Sequence, residues 1–234
     1  MRQLPLSVRL RDRASFESFL PGPNTIALTQ IKALAEQQRP GLVWLCGPEG
    51  SGKTHLLQAL CAHAGTRAAY VPLSQLESYG PAAVSDWQGA RWLCLDELAS
   101  AVGRIDWERA LFAVYRDCEE RGASLLMAAR EAPPQMPFVL PDLASRCAAG
   151  HRLALQALDE EQQCAALRLR AQLRGFDLPE ETAHYLQRRL PRDMSSLFAL
   201  LDELDAAALA AQRRLTVPFI RDVLAQRATT PRQT

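Results

Sequence analysis

At 234 residues, 48% hydrophobic and 23% charged, the chain can bury one large core or two modest ones. Its formal net charge of +1 excludes a global electrostatic demand for nucleic acid or an anionic membrane. No apolar run approaches a membrane span, and Met1-Arg2-Gln3-Leu4-Pro5-Leu6 is too short and polar for a signal peptide, so a cytoplasmic protein without a membrane partner is expected.

In chain order, residues 1–10 read as a tail. Residues 42–46 are a continuous apolar run and predict a buried strand. A loop follows, and residues 54–63 predict a helix. Further strands are expected at 68–72, 91–95, 124–128 and 152–155, with a helix at 107–121 and a proline-rich turn at 131–137. Continuous apolar strands alternating with helices imply a parallel sheet covered on both faces.

Beyond about residue 156 the strand signal ends. Helices are expected at 159–174, 179–190, 194–213 and 217–226, the first opening on acidic residues and closing at Gly175. The expected organisation is an α/β domain at 11–155, a small all-helical domain at 156–227, and a second tail at 228–234. Six scattered cysteines (Cys46, Cys61, Cys94, Cys118, Cys147, Cys164) form no C-x-x-C pair, and they read as small buried thiols in a reducing compartment.

The chemistry concentrates in Gly47-Pro-Glu-Gly-Ser-Gly-Lys53-Thr54, which fits the phosphate-loop pattern G-x-x-x-x-G-K-[ST]. Between a strand and a helix, such a loop turns its backbone N–H groups around phosphate oxygens, where the helix dipole also favours negative charge. Gly47, Pro48, Gly50, Ser51, Gly52, Lys53, Thr54 and His55 are the candidate nucleotide-binding residues. Lys53 would reach the β- and γ-phosphates of ADP or ATP, and the Thr54 hydroxyl would hold Mg²⁺. Trp92-Leu93-Cys94-Leu95-Asp96-Glu97 is an apolar strand ending in two carboxylates. Asp96 would hold the same Mg²⁺, and Glu97 would orient or deprotonate an attacking water.

The order of phosphate loop, Asp-Glu strand and helical lid resembles the AAA+ superfamily: a P-loop core with a parallel five-stranded sheet and a small all-helical lid. Gly52-Lys53-Thr54-His55-Leu56, Phe16-Glu17-Ser18-Phe19, Asp142-Leu143-Ala144-Ser145-Arg146 and Arg192-Asp193-Met194 resemble the DnaA version of that fold. With Gln3-Leu4-Pro5-Leu6-Ser7-Val8 in front and no helix-turn-helix domain behind, the chain is similar to the Hda-type regulatory inactivators of DnaA.

That resemblance implies a negative regulator of replication initiation. It would bind the polymerase sliding clamp (the β clamp) through Gln3, Leu4, Leu6 and Val8 and provoke hydrolysis of DnaA-bound ATP. An extended peptide of this kind docks alternating apolar side chains in a pocket. Arg146 is the expected arginine finger, reaching a neighbour's nucleotide, and Arg192 the lid arginine that senses phosphates in the same subunit. DNA is met only through the clamp; a loose basic cluster of Arg2, Arg9, Arg11 and Arg13 reads as solvated. Self-association stays open.

One departure bears on activity. The strand at 124–128 is followed by Ala129, where the family has a polar side chain that positions the lytic water. Weak intrinsic ATPase activity is therefore expected. The alternatives are a self-sufficient AAA+ ATPase such as a DnaC-like helicase loader, and, with less support, a direct origin-binding factor.

Overall fold

A computed structural model describes residues 14–37, 40–85, 87, 89–189, 194–211 and 216–229. They fall into two compact units that divide between Ala157 and Leu158. The expected clamp-binding residues Gln3, Leu4, Leu6 and Val8, the basic cluster and Arg192 lie outside the described residues.

The first unit is built on strands β1 (Gly41–Cys46), β2 (Ala68–Pro72), β3 (Trp92–Asp96), β4 (Ser124–Ala129) and β5 (His151–Ala154). They form one sheet in the order β2-β3-β4-β1-β5, and every pairing is parallel. The central strands are buried on both sides, which is why their sequence is continuously apolar rather than alternating.

Alternate residues feed two cores. Trp44, Cys46, Leu93, Leu95, Leu125 and Met127 pack with helices α3 (Ile105–Arg121) and α4 (Pro141–Ala149). Val43, Leu45, Cys94, Leu126 and Ala128 pack with α1 (Thr25–Gln37) and α2 (Lys53–Ala64). The two helix layers therefore lie on opposite faces of the sheet. Trp44 is fully buried and donates its indole N–H to the Glu131 carbonyl at 2.9 Å, which ties β1 to the proline-rich turn.

Helices α1 and α4 were absent from the sequence expectation. In α1 the buried Ala27, Leu28, Ile31 and Ala35 recur at helical spacing, directly after a short turn containing Pro23. In α4, Pro141 occupies the first turn and Leu143 and Cys147, four residues apart, are buried. The turn leading into α1 and the start of α4 carry no side-chain cap that would mark a helix, α1 following a Pro-containing turn and α4 opening on Pro141 itself.

The second unit is helical throughout its described residues: α5 (Glu160–Leu173), α6 (Glu180–Arg189), α7 (Met194–Ala211) and α8 (Val217–Thr229). Asp159 caps α5, accepting the Gln162 N–H at 2.8 Å while the Gln162 side chain accepts the Asp159 N–H at 3.1 Å. At the other end Gly175 and Phe176 return hydrogen bonds to Gln172 and Ala171. Leu167, Leu186, Leu201, Leu204 and Ile220 form its interior. Asp202 faces two guanidiniums, with Arg174 at 2.6 Å and Arg170 at 3.4 Å, and Arg170 also lies 4.4 Å from the Phe198 ring centre.

Candidate functional site

The loop from Gly47 to Gly52 joins β1 to α2 and is shaped by what its glycines avoid. A Cβ on Gly47 would sit 2.4 Å from the Leu155 carbonyl oxygen. One on Gly52, where φ is +95°, would sit 2.6 Å from Phe19 Cε2. Only glycine fits either position. The start of α2 carries no side-chain cap, so the helix-end amides remain oriented for an anion. Ser51 is buried in the turn.

Lys53 folds back over this loop. Its Nζ donates to the carbonyls of Gly47 at 2.7 Å and Pro48 at 2.8 Å, partners that a bound phosphate could replace. Burial holds its pKa below the usual lysine value, and the Asp96 carboxylate works against that shift.

Asp96 is the polar centre of the site and is 3% exposed. Its Oδ2 accepts the Thr54 hydroxyl at 2.6 Å and the Tyr70 hydroxyl at 2.9 Å, and its Oδ1 accepts the Glu97 N–H at 2.8 Å. The sheet brings Thr54 and Asp96 together although β4 separates their strands, because both stand at the carboxyl edge. Burial and the Asp96 charge push the Tyr70 phenol far above its usual pKa, so it stays a donor. Tyr70 escaped the sequence reading: it lies 26 residues from Asp96, in an otherwise ordinary strand.

Glu97 is exposed and has φ of 59°, the left-handed conformation, which no other non-glycine residue adopts among the described residues. Strain of this kind gathers where a side chain must be aimed. Its carboxylate accepts the Ser74 hydroxyl. The paired hydroxyl and carboxylate donors at Thr54 and Asp96, beside an uncapped helix start, suit a hard divalent cation and a phosphate chain.

The Phe16–Phe19 segment clasps the loop's helix from outside. His55 Nε2 lies 3.0 Å from the Ser15 carbonyl and 3.1 Å from Ser18 Oγ; a carbonyl only accepts, so Nε2 carries the proton. Phe19 packs edge-on against His55 with ring centres 5.5 Å apart, and Phe16 lies 5.6 Å from the His63 ring.

At the end of β4, Ala128 and Ala129 are buried, as their apolar character implies. The next residue, Arg130, accepts the Gly47 N–H at its carbonyl, and its side chain pairs with Glu49 of the phosphate loop. Neither member of that exposed pair was anticipated. Arg146, on α4, is exposed, and its guanidinium lies over the Tyr115 ring.

The cysteines are all free, and Cys46, Cys94, Cys118, Cys147 and Cys164 are buried. Burial raises these thiols, Cys147 to about 12, which makes them inert packing groups. No group of ligands able to hold a metal ion by protein side chains alone occurs among the described residues, and no described helix is long and apolar enough to cross a membrane.

Residues 159–224 match the family model described as Hda, lid domain. The chain is similar to domain III of the Thermotoga maritima replication initiation protein DnaA: 19% identity, TM-score 0.76, covering 92% of this chain and 97% of that one. It is also similar to AMPPCP-bound DnaA from Aquifex aeolicus, with 19% identity, TM-score 0.67, and coverage of 84% here and 66% there. The Thermotoga maritima RuvB Holliday junction branch migration motor follows at 16% identity and TM-score 0.60, covering 88% and 67%. The structural likenesses speak to the fold, and the family match speaks to the carboxyl-terminal unit. The chain thus has the fold of DnaA domain III, with the phosphate loop and the Asp-Glu strand on a 2-3-4-1-5 sheet, and its residues 159–224 match the Hda lid family.

Proposed function

We propose that this chain is a negative regulator of replication initiation that acts on DnaA. In this reading the loop from Gly47 to His55 holds ADP or ATP, Thr54 and Asp96 hold its Mg²⁺, and Arg192 senses its phosphates from the lid. Gln3, Leu4, Leu6 and Val8 dock on the sliding clamp. Arg146 is then presented to the ATP that DnaA holds, where a guanidinium stabilises charge on the transferring phosphoryl group.

The observation that carries this reading is the setting of Arg146. It is exposed on α4, which packs on the sheet face opposite α1 and the phosphate-loop helix α2. A guanidinium there is available to another molecule. The lid match and the DnaA-like fold support the choice of partner.

Own turnover is slow in this account. The strand β4 ends in two buried alanines, which offer no polar side-chain atom to hold a water beside the γ-phosphate. A DnaC-like loader that hydrolyses ATP on its own would instead show robust, Glu97→Gln-sensitive turnover as the purified protein.

The test is ATP hydrolysis by DnaA in the presence of clamp loaded on DNA. Arg146→Ala should abolish stimulation and keep co-elution with the clamp. Gln3→Ala should lose both. Stimulation that survives Arg146→Ala removes the mechanism.

A further inference from the structure

Arg146 is exposed but not unconstrained. Its guanidinium carbon lies 5.8 Å from the centre of the Tyr115 ring. That ring is itself held: the Tyr115 hydroxyl donates to Glu119 Oε1 at 2.9 Å, and the ring stacks on Phe112 with centres 6.3 Å apart and planes at 21°. Burial and the Glu119 contact raise the phenol's pKa, while the charge of Arg146 draws it back.

The helix beneath Arg146 is anchored by the same element. Glu108 stands two turns before Tyr115 on α3 and is fully buried. Its carboxylate accepts the N–H groups of Gly103 at 2.7 Å, Val139 at 3.0 Å and Leu140 at 2.6 Å. Val139 and Leu140 are the residues leading into α4. One helix therefore holds both the root of α4, through Glu108, and the tip of its arginine, through Tyr115.

We infer that Tyr115 is a positioning residue for Arg146, its ring face holding the guanidinium in the pose from which it meets a partner's nucleotide. This rests on the reading of Arg146 given above. An exposed arginine samples many rotamers, and ordering it at a phosphate costs free energy. A cation–π contact made before docking removes part of that cost. At an exposed site such a contact corresponds to about a two- to fivefold change in rate. A pose that withheld the arginine would give the opposite sign.

The experiment uses full-length protein, clamp loaded on DNA, and ATP-loaded DnaA, with Tyr115→Phe, Tyr115→Leu, Arg146→Ala and the Tyr115→Leu/Arg146→Ala pair. Tyr115→Phe keeps the ring and should stay within about twofold of wild type. Tyr115→Leu should lower the maximal stimulated rate about two- to fivefold without moving the half-saturating concentration. It should add nothing to Arg146→Ala. In the protein alone, tyrosine-labelled NMR should show the Tyr115 phenol titrating at higher pH after Arg146→Ala. A Tyr115→Leu protein as fast as wild type, or faster, overturns the inference, as does an unmoved Tyr115 titration. Arg146→Ala without effect on stimulation removes the underlying reading instead, and the NMR titration still decides the contact.

Discussion

Glu108→Ala removes a fully buried carboxylate that accepts three backbone amides, those of Gly103, Val139 and Leu140. An orphaned buried amide costs about 1–3 kcal/mol. Val139 and Gly103 are both exposed, so water can replace the carboxylate at their amides, and the part-buried Leu140 amide sets a loss of roughly 1–3 kcal/mol. Domains of this size are stable by about 5–15 kcal/mol, and each kcal/mol moves Tm by about 2–4 °C. Glu108→Ala should therefore lower Tm by about 5 °C. Glu108→Gln keeps one acceptor oxygen and should cost about half as much. Thermal unfolding followed by circular dichroism measures both. If Glu108→Ala falls within about 0.5 kcal/mol of wild type, or Gln is as damaging as Ala, the carboxylate does not anchor the start of α4.

Gly52→Ala puts a Cβ against Phe19 at a left-handed φ, and fluorescent-nucleotide titration should show affinity at least about tenfold weaker. Adding Phe19→Ala should recover part of it, because the clash goes and the dihedral strain stays. Nucleotide affinity should fall as pH rises, beginning below the ordinary lysine pKa of 10.5, because a lowered Lys53 gives up the charge that phosphate needs early. Affinity flat up to that pH would contradict this. His55→Ala removes the bond to the Ser15 carbonyl and the edge-on contact with Phe19, and should destabilise the protein by about 1–2 kcal/mol in urea unfolding.

The sheet was legible because strands buried on both faces leave continuous apolar runs, and each of the five matched a run within a residue or so. The phosphate loop and the Asp96-Glu97 pair were legible as sequence motifs, and the fold brings Thr54 and Asp96 within hydrogen-bond reach. What escaped depends on distant partners. Tyr70 reaches Asp96 only because β2 and β3 pair in register, with Pro72 opposite Asp96. Glu108 looks like any charged residue on a helix until Val139 and Leu140 close over it. Tyr115 under Arg146 and Arg130 beside Glu49 depend on helix and loop packing that no short window encodes. The helix α4 was read as a family motif without its helical period, since nine residues give only about two and a half turns.

The most direct measurement is single-turnover hydrolysis of labelled ATP prebound to DnaA, with clamp-loaded DNA and either wild-type protein, Arg146→Lys or Arg146→Ala. The account predicts fast loss of label with wild type and the slow intrinsic rate with both variants, since an ammonium lacks the planar fork of a guanidinium. Hydrolysis by Arg146→Ala at the wild-type rate would contradict it.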